Sequence, residues 1–115
     1  MIGVDIVLTE RIRKTDIYSF AEKIGCDMAW LETKTDKAQS IAGVFAIKEA
    51  VAKALGCGFD KDVTLKSIEV VHDDKNAPYV VLYGKARELL LKKGKEIYVS
   101  VSHDGEYAVA AAYIK

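Results

Sequence analysis

Apolar and polar residues alternate along this chain with a changing period, and the changes mark its elements. Residues 2–8 are apolar except at Gly3 and Asp5, which predicts a strand buried on both faces. A polar segment carrying Arg11, Arg13 and Lys14 opens at Thr9 or Glu10. Asp16 is placed to cap a short helix through Ile17, Phe20, Ala21 and Ile24, which Gly25 ends. Residues 26–35 have no clear period: Trp30 and Leu31 call for burial, yet Thr33 to Asp36 has the composition of a turn. Asp36 then caps a long helix that runs to Leu55, with Gly56 just beyond its end.

The second half is more regular. Residues 63–72 read as a strand, Asp73 to Asn76 as a turn and Pro78 to Tyr83 as the returning strand. A helix with Ala86, Leu89 and Leu90 on one side stops at Gly94, and residues 97–102 and 107–113 form a hairpin about Asp104 and Gly105. No repeat, linker or low-complexity stretch divides the chain. Residues 1–115 are therefore expected to form a single α+β domain, a mostly antiparallel sheet wrapped on the long central helix.

That helix is apolar on two sides. At about 100° per residue, Ala38, Ile41, Ala42, Phe45 and Ala52 gather on one, and Val44, Ile47, Val51 and Leu55 lie on another. One small sheet covers less than this, so a second cover is expected, and a neighbouring copy of the chain would supply it. Glu49 falls within the first arc, and Asp5 interrupts the apolar strand. Burying an ionised carboxylate without a partner is costly, so each should be paired, protonated or bound to a cation. Two readings stay open. Glu49 pairs with Lys53 at i,i+4 while Asp5 caps a backbone amide, or the two acids hold a hard cation such as magnesium, whose shell a substrate's phosphates complete.

Lys53 lies about 40° round from Glu49, where its ammonium would meet an anion held at the carboxylate, and Lys48 lies on the opposite flank. Ser100 and Ser102 share one face of their strand, with Val99 and Val101 on the other, and His103 closes it. Neither serine sits in a nucleophile elbow, which excludes a serine-hydrolase reading. Gly56-Cys57-Gly58 follows a helix C-terminus, where the dipole repels anions, so it is a turn and not a phosphate loop.

Composition narrows the class. The net charge is zero, with a pI near 6.7, which argues against sequence-independent nucleic-acid binding. Cys26 and Cys57 fit neither a disulfide framework nor a zinc pattern. No run of about 18 apolar residues is present and no basic leader precedes the first strand. A cytoplasmic protein with no membrane partner is expected.

Three segments together resemble the holo-acyl-carrier-protein synthase family of 4′-phosphopantetheinyl transferases. They are Ile2 to Val7, Phe45 to Gly56 (with Lys48-Glu49-Ala50 at the centre), and Ser100 to His103 with Tyr107-Ala108. The resemblance spans nearly the whole chain. It implies the single-copy transferase fold and movement of the 4′-phosphopantetheine arm of coenzyme A onto a serine of an apo acyl carrier protein, releasing adenosine 3′,5′-bisphosphate. It implies Asp5 and Glu49 as magnesium ligands, and Lys53 on the transferring phosphate. Lys48, Lys53, Pro78, Ser102 and His103 would contact coenzyme A. Glu49, directly or through a water, is the candidate base for the serine proton. Arg11, Arg13 and Lys14 form the most concentrated basic patch near Asp5 and are expected to meet an acidic carrier protein. The larger members of the superfamily resemble two copies of this fold with the site between them, so a homotrimer with shared sites is expected, the number three coming from the resemblance.

The chain also departs from the family pattern. Val44 stands where arginine is common, Asn76-Ala77-Pro78 replaces a usual Gly-Lys-Pro turn, and residues 16–35 are short. A non-catalytic member that keeps the fold and binds coenzyme A poorly is the contrasting expectation, favoured by Val44, and Lys37 is the expected substitute cation.

Overall fold

The computed structural model describes all 115 residues, Met1–Lys115. Strand β1 (Ile2–Leu8) leads through three short helices, α1 (Thr9–Arg13), α2 (Ile17–Lys23) and α3 (Met28–Glu32), into the long helix α4 (Lys37–Leu55). Asp36 caps α4 by accepting from the Gln39 amide at 3.1 Å, and Gly56 closes it at φ 75°, in the left-handed region that a side chain disfavours. A hairpin of β2 (Ile68–His72) and β3 (Pro78–Leu82) follows, then α5 (Gly84–Lys93) and a second hairpin, β4 (Ile97–Asp104) and β5 (Tyr107–Ile114).

Strands β1, β5 and β4 form an antiparallel sheet in that order against one side of α4, whereas β2 and β3 form a separate pair. The expected sheet is thus divided in two. Residues 63–67 do not extend β2; Leu65–Ser67 form a 3₁₀ turn fixed by reciprocal bonds between Thr64 and Ser67. The segment without a period holds α3, capped by the Asp27 carboxylate on the Trp30 amide at 3.1 Å.

The sheet and α4 approach closely because the residues between them are small. Ala108, Ala110 and Ala112 of β5 all face the helix and are buried. A Cβ on Gly3 would lie 2.0 Å from the carbonyl oxygen of Ala50 and 2.6 Å from the amide nitrogen of Ala54. Strand and helix therefore touch main chain to main chain.

Two burial expectations are corrected. Strand β1 is buried on one face only: Gly3, Asp5 and Val7 point inward, while Ile2, Val4 and Ile6 are 68 %, 52 % and 59 % exposed. Helix α4, by contrast, is covered by its own chain, with 13 of its 19 residues buried. The spare apolar surface is on the outside of the sheet. There the register sets Ile2 beside Tyr113 and Tyr113 beside Tyr98, with Ile6 beside Val109.

Candidate active site

Asp5 faces α4 from β1, two residues beyond the Gly3 contact, and Glu49 precedes Ala50 on the helix. Lys53 donates to Asp5 Oδ1 at 2.8 Å and to the Val4 carbonyl at 3.1 Å, leaving Glu49 with no ion-pair partner. Asp5 is 16 % exposed at its side chain and Lys53 54 %. Burial, reinforced by the charge of Asp5 and opposed by Lys53, raises the pKa of Glu49. Two carboxylates with one ammonium leave net negative charge in a half-dry setting. No cluster of three or more His, Cys, Asp or Glu side chains exists in the molecule.

On the other flank of α4 lies a cleft of about 360 Å³. Val44, Ile47 and Val101 form its apolar wall, Pro78 and Asn76 its rim, and His103 one side. Gly43 makes room for His103: a Cβ there would lie 2.9 Å from His103 Cε1. Partial burial lowers the pKa of His103 below its usual 6.5 against the pull of Asp36. Across the cleft, Trp30 and His72 stack at 3.9 Å. Within one chain the cleft and the acid pair are roughly 120–160° apart around the helix.

A model of the 4′-phosphopantetheinyl transferase superfamily matches residues 1–112. The chain belongs to this superfamily. Holo-acyl-carrier-protein synthase of Clostridium acetobutylicum is 41 % identical over 119 residues, covering 99 % of this chain and 95 % of that one. The Chlorobaculum tepidum synthase is 42 % identical over 116 residues, covering 96 % and 94 %. The structure of the Helicobacter pylori synthase in complex with coenzyme A covers all of both chains, with a TM-score of 0.84 and 33 % identity. The Bacillus anthracis synthase in complex with CoA (3′,5′-ADP) matches with a TM-score of 0.78 and 31 % identity, over 96 % of this chain and 91 % of that one. The chain is a transferase of the holo-acyl-carrier-protein synthase type with that α+β fold.

The residues expected to serve this transferase fall into three places. Asp5, Glu49 and Lys53 come together, and Pro78 and His103 share the cleft. Lys48, Ser102, Arg13 and Lys37 join neither as free groups. Lys48 is only 1 % exposed, and its ammonium donates to the Ile24 and Leu65 carbonyls at 2.6 and 2.9 Å. Burial lowers its pKa to about 8, with Cys26 and Glu69 acting against that fall. It is a structural pin between two loops, not a coenzyme A contact. Ser102 points to the outer face of the sheet beside Val109, away from its own chain's cleft. Arg13 is committed to Asp36 and Glu10, which leaves Arg11 and Lys14 as the free cations of the basic patch. Lys37 donates to the Lys34 carbonyl at 2.8 Å. The sequence reading missed Trp30, Lys34 and His72 as cleft residues. No local pattern marks them, since Trp30 on α3, Lys34 in the loop beyond it and His72 on β2 meet only in the fold.

Proposed function

We propose that the chain transfers 4′-phosphopantetheine from coenzyme A to a serine of an apo acyl carrier protein in a magnesium-dependent reaction, with Asp5, Glu49 and Lys53 at the reacting end. One observation carries this reading: an inward carboxylate pair on β1 and α4, met by a single lysine and by no third acidic or imidazole ligand. The donor set suits magnesium. Asp5 and Glu49 would supply two hard oxygens, too few for an all-protein cage and appropriate when diphosphate oxygens and water complete the shell. Burial, with the charge of Asp5 adding to it, raises the pKa of Glu49, and a divalent ion would relieve both by neutralising the pair. Asp5 and Glu49 would hold the ion, and its chemistry there would be Lewis-acid stabilisation of charge on the diphosphate and the leaving bisphosphate. Lys53, exposed and drawn to the site by Asp5, offers its ammonium to an oxygen of the transferring phosphoryl group. Glu49, directly or through a water, is the group placed to accept the proton of the incoming serine hydroxyl.

The separation of acids and cleft around α4 supports a site shared between copies. A nucleotide in the cleft is turned away from the acids of its own chain and is available to those of a neighbour. The exposed face of Ile2, Val4, Ile6, Val109, Tyr98 and Tyr113 supplies the apolar surface such an assembly needs. We take the assembly to be a homotrimer. Arg11 and Lys14, on the helix that follows the strand bearing Asp5, face the acidic carrier protein. No helix is long and apolar enough to cross a membrane. Cys26 and Cys57 are both free, which suits a reducing cytoplasm. Apo carrier proteins of fatty-acid, polyketide or peptide synthesis, incubated with the chain, coenzyme A and magnesium, test the reading by intact mass. One of them gains a single phosphopantetheine on serine and fails to gain it in the presence of chelator. No gain on any carrier overturns the proposal.

A further inference from the structure

Helix α1 is too short to hold its own direction. Five residues gain little from their internal bonds, so contacts with the rest of the chain set where it points. Three contacts do this. The Thr9 amide donates to the Glu106 carbonyl at 2.7 Å, Ile12 is buried, and Arg13 reaches Asp36. The last contact is two-pronged: Arg13 Nη1 donates to Asp36 Oδ1 and Nη2 to Oδ2, both at 3.2 Å, while Nε lies 3.3 Å from Glu10 Oε2. Isolated surface ion pairs contribute little. This one has fork geometry and belongs to a network of three charged side chains, the two circumstances in which such pairs count. Bonds from Arg13 and then from the Gln39 amide hold the Asp36 carboxyl below its usual range, so it is ionised near neutral pH.

The needs of α4 do not explain the pair. Asp36 caps that helix through Oδ1, and a cation near a helix N-terminus opposes the dipole. What Arg13 serves is α1. At about 100° per residue it stands roughly 160° from Arg11 and about 100° from Lys14, so it turns back to α4 while those two cations stay exposed and pair with no carboxylate. We infer that Arg13 is a positioning residue for carrier recognition: through Asp36 it fixes α1 against the first turn of α4, and so presents Arg11 and Lys14 at a set spacing from Asp5, Glu49 and Lys53 without itself touching the carrier. The inference rests on the transferase reading above, in which an acidic carrier meets Arg11 and Lys14. The carrier serine must reach the acid pair while both cations are engaged, and charges help a partner only where their spacing matches its own. A helix left to swing weakens that encounter and leaves the reacting groups as they were. The loss therefore falls on the carrier KM and not on kcat.

Steady-state transfer to an apo acyl carrier protein, at saturating coenzyme A and magnesium, tests this with the full-length chain. Asp36→Asn keeps a good helix cap and removes the carboxylate charge, and Arg13→Gln removes the guanidinium. Each should raise the carrier KM about fivefold, as expected for one well-made ion pair, and leave kcat and the KM for coenzyme A within about twofold. The double variant should be no worse than either single one, since both remove the same link. Arg13→Lys, which keeps the charge and loses the fork, should recover part of the carrier KM. A rise in KM for Arg13→Gln with none for Asp36→Asn would mean that Arg13 touches the carrier, and would overturn the inference. Effects that multiply in the double variant would overturn it too, as would a carrier KM within about twofold of wild type in all three. Arg11→Gln separates the remaining failures. If wild type transfers the arm but Arg11→Gln leaves the carrier KM unchanged, the carrier docks elsewhere and the inference falls alone. If wild type transfers the arm to no carrier, the transferase reading falls and the inference with it.

Discussion

Lys48→Met should make the protein less stable, and the loss should grow with pH. The side chain is 1 % exposed and methionine is close to it in length, so the change removes two hydrogen bonds without opening a large cavity. The carbonyls of Ile24 and Leu65 lose their donor, each costing roughly 1–3 kcal/mol if left unsatisfied. Against this stands the energy of keeping a charge in the interior, expressed in the fall of the Lys48 pKa to about 8. Lysine is protonated in both states at pH 7, so that penalty, about 3 kcal/mol for the fall from 10.5 to about 8, is then fully present and the net loss in the variant is about 1 kcal/mol. As pH rises past 8 the folded lysine sheds its proton before the unfolded one does, the unfolded state binds more protons, and wild-type stability gains. Between pH 7 and 9 the gain is about 1 kcal/mol, and the variant lacks it. Urea melts of both proteins at pH 7 and pH 9 measure the difference directly, and coenzyme A affinity should be unchanged where the variant is folded. Parallel pH profiles, or a variant as stable as wild type at both pH values, would refute the role given to this lysine.

Glu49→Gln should raise the stability of the ligand-free protein at pH 7, since a half-buried acid with a raised pKa penalises the folded state once it ionises. That gain fades as pH falls through the raised pKa of Glu49 and is gone below the usual glutamate range, and the variant loses magnesium-assisted coenzyme A binding; thermal melts at pH 7 and pH 4 with calorimetry check both. Glu49→Gln and His103→Ala chains, each impaired alone, should recover about a quarter of wild-type turnover when their subunits are exchanged one to one, because that share of shared sites is intact. No recovery in mixed oligomers confirmed by mass would place each site within one chain. Gly3→Ala should cost about 3 kcal/mol, as its Cβ meets main-chain atoms that cannot swing aside. Turnover should fall in chains that remain folded, and a urea-melt loss under about 0.5 kcal/mol would contradict the contact.

Local chemistry made much of the fold legible. Asp16 and Asp36 each cap the helix expected of them, Gly56 closes α4, and the last hairpin turns where Gly105 takes φ 57°. Asp5 and Glu49 stood out because an acid in an apolar run is costly wherever the run is buried. What stayed hidden depended on contacts distant in sequence. A helical wheel gives the angle of Lys48 but not its depth, which is set by loops at Ile24 and Leu65 closing over it. The outer face of β1 read as interior because Ile2, Val4 and Ile6 are apolar, and apolarity does not distinguish cover by the same chain from cover by another. The cleft was out of reach for a related reason: Trp30 and Asn76 lie 46 residues apart and meet only when the β2–β3 turn folds over α3.

The contact at Gly3 also bears on how freely the sequence can drift. Because strand and helix meet there through backbone atoms, the spacing of the two acids is set by a feature that no neighbouring side chain defines. Volume changes among the surrounding alanines, valines and isoleucines alter stability and leave that spacing alone so long as the glycine persists. Lineages can therefore exchange most of the interior and retain the same pair of oxygens in register, which makes the missing side chain of one small residue, and not the identity of the core, the element that inheritance must preserve.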